Sequence, residues 1–162
     1  MNALSRSAAL AIGLILLSAV LSLTPVELAF SVEYRLLSPT GGFIYAAYSH
    51  GSVIWVNQPP LYIYMWRIAA QLFLIWIGLI VIYVIKPMKV ADLASIIIAV
   101  AFAAFNYAYL ASIGARLVIL PLTYILYTVG SPVVSIDMGQ VALIYAAWRA
   151  YKNGLFRIRR GD

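Results

Sequence analysis

No cysteine occurs in the 162 residues, which excludes disulfides, thiolate metal sites, iron–sulfur clusters and thiol redox relays built from this chain. Histidine occurs once, at His50, so a haem held by two histidines of this chain is excluded and a metal site would need ligands from elsewhere. Charge is also scarce: 10% of residues are charged, against about a quarter in soluble domains, and only five of them are carboxylates. No pattern for a nucleophile, a metal cluster or a paired acid and base is present. The sequence therefore assigns no reaction and no cofactor of its own, and leaves room only for contact with lipid or a quinone.

What is abundant is apolar surface, with 65% hydrophobic residues and a mean hydropathy of +0.98. Leu61 to Ile85 is 25 residues with a single charge, Arg67. Such a run belongs to hydrocarbon, where each backbone amide must be satisfied within its own segment; no barrel-like alternation runs through the chain, so helices are expected. The expected fold is an all-α integral membrane protein, a bundle of four transmembrane helices forming one domain. The spans fall at about 8–30 (Ala8 to Leu23, with extension to Phe30), at Leu61–Ile85 closed by Lys86-Pro87, at Leu93–Gly114, and at Pro132–Tyr151. The first follows Arg6 like a secretory signal, but no small-x-small cleavage pattern follows, and it is expected to be a true span.

Two stretches stand apart from the spans. Leu117–Gly130 is apolar, contains Pro121 and is too short to cross, so a re-entrant or interfacial segment is expected. In the loop 31–60, Phe43–Tyr48 and Val53–Asn57 flank Ser49-His50-Gly51-Ser52 and predict a hairpin, with His50 a surface turn residue. Within that loop Ser38-Pro39-Thr40-Gly41-Gly42-Phe43 resembles a proline-glycine-phenylalanine stretch in small subunits of multisubunit cation antiporters, over these six residues alone.

Charge orients the spans. With both termini in the cytoplasm, Arg6, Lys86, Lys89, Arg149, Lys152, Arg157, Arg159 and Arg160 share the inner side with Asp92 and Asp162, a net +6; the outer side balances Arg35, Arg67 and Arg116 against Glu27, Glu33 and Asp137. That asymmetry satisfies the positive-inside rule. The tail 152–162 is expected to anchor topology, and no nucleic-acid partner is expected. Glu27 and Glu33 read as solvated interfacial acids, and the twelve tyrosines and four tryptophans as interfacial belts.

Inside the bundle a polar layer is expected. Counted from the outer helix ends, Arg67 and Asp137 lie roughly 7 to 9 Å deep, and Gln71, Asn106 and Gln140 roughly 12 to 15 Å. An unpaired arginine there costs about 2 to 3 kcal/mol, so Arg67 is expected to meet Asp137 and the three amides to bond across the bundle. On the third span Ala101, Ala104, Ala108, Ala111 and Ala115 recur at small-residue packing intervals. Together these features point to a non-catalytic small subunit of a larger membrane complex, respiratory or ion-translocating in kind, with other membrane subunits and lipid as its partners. The alternative is a small homo-oligomeric transporter or channel built around the polar layer.

Overall fold

A computed structural model of the chain describes residues 3–23, 36–37, 43–49, 52–56, 59–127 and 132–155, with backbone alone over 36–56. Four helices and two small antiparallel sheets make up these residues: α1 (Ala3–Leu21), β1 (Leu36–Leu37), β2 (Phe43–Ser49), β3 (Ser52–Val56), α2 (Leu61–Ile85), α3 (Lys89–Ser112), β4 (Arg116–Leu120), β5 (Thr123–Tyr127), β6 (Pro132–Ile136) and α4 (Met138–Lys152). Three helices, α1, α2 and α3, are long and apolar enough to cross a membrane.

Helix α2 begins after Pro60 and stops at Lys86, which Pro87 forces into an extended conformation (φ −137°, ψ 103°) while its N–H still reaches the Ile82 carbonyl at 2.8 Å. Helix α3 is central, packed against α1, α2 and α4. Its buried face runs through Ala94, Ser95, Ile98, Ala99 and Phe102. Phe102 stacks on Trp76 of α2 at 6.0 Å, and Trp76 meets Tyr145 of α4 edge-on at 5.3 Å, so one aromatic cluster joins three helices. Helix α1 buries Ser7, Ala11 and Ser18, small side chains that admit a close neighbour, while Leu16 and Val20 stay exposed as lipid-facing residues would.

The sequence expectations need correction in three places. First, the described part of 117–130 is strand rather than helix: Arg116–Leu120 and Thr123–Tyr127 pair as an antiparallel hairpin, and Pro132–Ile136 adds a third strand where a helix was expected. The runs are short, β-branched and aromatic, and Pro121 fills the first central turn position, with Leu122 at φ +59° filling the second. Second, the fourth helix starts at Met138 rather than Pro132; its 15 residues reach about 22 Å, less than a bilayer core. Third, Ala104, Ala108 and Ala111 of the alanine stripe are exposed, and Ala101 and Ala115 only half-buried, because α1, α2 and α4 dock on other faces of α3. The hairpin expected in the loop 31–60 is formed, with Ser49 opposite Ser52 and Leu36–Leu37 added along the far edge of β2. Helix α1 ends at Leu21; the extension to Phe30, and with it Glu27, Glu33, His50, residues 38–42 and the tail beyond residue 155, lies outside the described residues.

Candidate functional site at the helix ends

Polar side chains collect at the two ends of the helix assembly. At the sheet end, strand register determines where Asp137 falls. Thr123, first after the Pro121-Leu122 turn, pairs with Ile136, so the next residue, Asp137, sits beside that turn. Its backbone N–H donates to the Leu122 carbonyl at 2.9 Å. Asp137 then caps α4: Oδ1 accepts the Gln140 backbone N–H at 3.0 Å, which places a carboxylate at the positive end of the helix dipole.

Gln140 joins this cap to the hairpin. Its amide nitrogen donates to the Leu120 carbonyl at 2.7 Å and to Asp137 Oδ2 at 2.9 Å, while its oxygen accepts the Leu122 N–H at 3.0 Å. Tyr107 of α3 donates its hydroxyl to the same Oδ2 at 3.0 Å. Asp137 is fully buried, and its carboxylate is satisfied by neutral donors. Gly139 leaves room for this close approach. A Cβ there would stand 3.1 Å from the Asn106 amide, from Asp137 Oδ1 and from the Tyr107 ring.

Arg67 is elsewhere. It is 1% exposed and donates through Nη1 to the Ser22 carbonyl at 3.0 Å, with its guanidinium 5.6 Å from the Tyr64 ring centre. Ser22 follows the last residue of α1, so Arg67 places a cation on the carbonyls left open at the negative end of that helix. The expected Arg67–Asp137 ion pair is not formed: Arg67 reaches the end of α1, whereas Asp137 caps α4. Nor do the three amides bond one another. Gln140 bonds the hairpin, Asn106 abuts Gly139, and the side-chain amide of Gln71 is buried with no hydrogen-bond partner for either atom among the described residues.

At the opposite end an ion pair does form, one that sequence reasoning missed. Asp92, in the first turn of α3, accepts on Oδ1 from Arg149 Nη2 at 2.6 Å and Nε at 2.8 Å, and on Oδ2 from Asn153 at 2.9 Å. The Arg149 guanidinium also lies 4.6 Å from the Tyr83 ring centre. One turn deeper, Ser95 donates to the Asp92 carbonyl at 2.7 Å, which leaves the Tyr145 hydroxyl, 2.8 Å away, to donate to Ser95 Oγ. Each member again suits its helix end, acid at an N-terminus and base at a C-terminus. The missed signal was the antiparallel placement of Asp92 and Arg149 at matching depth on adjacent helices.

No group of three or more histidine or acidic side chains close enough to hold a metal occurs among the described residues. Comparison of the chain with protein families, curated proteins and solved structures finds no match.

Proposed function

We propose that the chain is a non-catalytic small subunit of a larger membrane assembly, respiratory or ion-translocating in kind, inserted through its apolar helices with both termini cytoplasmic and contributing packing surface and a β-rich cap. The sheet β4–β6 carries this reading. None of its residues is buried, Ile119, Val134 and Ile136 are each more than half exposed, and β4 and β6 each have one strand neighbour among the described residues. Open strand edges are not tolerated in lipid, and a sheet apolar on both faces is costly in water. A neighbouring subunit that covers the faces and extends an edge resolves both problems at once. Extraction from native membranes in mild detergent tests this. The chain is expected to migrate with larger, cofactor-bearing subunits.

A second reading, a homo-oligomeric transporter or channel, has one observation in its favour, the unpartnered amide of Gln71 buried within α2. Such an amide calls for water, a ligand or a neighbouring chain. A symmetric oligomer that carries ion flux into liposomes, and loses it in Gln71→Leu, would replace the subunit reading.

A further inference from the structure

The end opposite the sheet β4–β6, where α2 turns into α3 and α4 finishes, presents surface charge of one sign. Lys86, Lys89 and Lys152 are exposed there, and among the described residues none has a carboxylate partner. Asp92 is 4% exposed and its charge is cancelled internally by Arg149, so among the described residues three cations face outward uncompensated. Their surroundings are amphipathic. Lys86 and Lys89 bracket Pro87 and the exposed Met88, and the Lys152 ammonium lies 4.5 Å from the ring centre of Trp148, which is half exposed beside the open Tyr151.

We propose that Lys86, Lys89 and Lys152, with Trp148 and Tyr151, form a docking rim for anionic phospholipid headgroups. The inference rests on α1–α3 crossing a membrane and is independent of the subunit role. Tryptophan and tyrosine rings settle at headgroup depth, ring buried and polar edge wet. The lysines extend from helix ends into the same layer, where ammonium groups meet phosphate oxygens. A zwitterionic headgroup also carries a phosphate, but its own cation competes for that phosphate, so net negative charge decides the preference. Each lysine near an anionic surface strengthens binding by about five-fold at low salt. The apolar and aromatic residues between the lysines favour lipid over nucleic acid, which would leave Met88 and Tyr151 against water.

The full chain, purified in neutral detergent and stripped of lipid, is offered equal amounts of phosphatidylglycerol and phosphatidylcholine, and retained lipid is counted by native mass spectrometry. Phosphatidylglycerol is expected to dominate by about one hundred-fold, the product of three five-fold contributions. Each of K86Q, K89Q and K152Q should reduce that preference by about five-fold, and the triple variant should bring the two lipids to parity. High salt should do the same to the unsubstituted chain. The single variants carry the test should the triple variant fail to purify. Equal retention by the unsubstituted chain overturns the proposal. It also falls if the preference survives the triple substitution but vanishes when residues 156–162 are deleted, since the binder is then the tail.

Discussion

The two ends of the helix assembly neutralise buried charge by different means. At the lysine end Asp92 and Arg149 face each other across α3 and α4 and form a direct ion pair with Asn153 as second donor. At the sheet end Arg67 and Asp137 are both almost fully buried, yet each is held by a helix terminus, Arg67 on the carbonyl end of α1 and Asp137 on the amide end of α4. The difference follows from where the helices stop. Where α3 begins and α4 ends side by side, opposite charges from the two termini lie within reach of each other. Where α1 stops and α4 starts, the two termini turn open backbone groups toward Arg67 and Asp137. Among the described residues, one buried carboxylate, Asp92, is thus met by a cation and the other, Asp137, by a helix terminus and neutral donors.

The largest effect that would break this contrast is expected from Arg149→Ala. Removing one partner of a buried pair leaves Asp92 uncompensated and should cost about 3 to 5 kcal/mol in unfolding from mixed micelles. The double variant with Asp92→Ala should recover a substantial part, giving a coupling of about 1 kcal/mol or more. Next in size, Asp137→Ala removes the α4 cap and the acceptor for Tyr107, at about 2 kcal/mol by the same measurement, whereas Asp137→Asn keeps an acceptor and should cost less. Combining Asp137→Ala with Arg67→Ala should be additive to within about 0.5 kcal/mol. A coupling there as large as that of Asp92 and Arg149 would erase the distinction between the two ends.

A smaller effect, about 1 kcal/mol of destabilisation, is expected from Gly139→Ala, because the new methyl must push back Asn106, Tyr107 and the capping carboxylate. Smallest, and opposite in sign, Leu122→Gly relieves a left-handed backbone conformation in a non-glycine residue and should raise stability by up to about 1 kcal/mol. Loss of stability in that variant would show that the exposed Leu122 side chain is covered by contacts of its own.

The long elements were legible in the sequence because their signals are long. Twenty-five residues with a single charge, closed by Lys86-Pro87, leave α2 no alternative, and the helix occupies those residues. The hairpin β2–β3 was marked by β-branched and aromatic runs around a serine-rich turn. The strands β4–β6 were misread because a five-residue apolar run has no period of its own, and inside an otherwise helical chain Pro121 looks like an interruption rather than the corner of a turn. Asp137 and Gln140 were read as one face of a helix at a spacing of three, yet an acid followed three residues later by glutamine is equally the signature of a helix start. That second meaning is the one realised. The Arg67–Asp137 pairing failed for the same reason, since it placed Asp137 inside a helix that begins only at Met138.

The clasp made by Gln140 has a mechanical consequence. One amide grips both sides of the Leu120–Leu122 corner while its backbone N–H holds the cap of α4, and the Asp137 N–H ties the strand-to-helix junction to the same corner. No slack remains between sheet and helix. The sheet and α4 are thus seated as one unit, and the same helix carries, further along, the Tyr145 ring that meets Trp76 in the centre of the molecule.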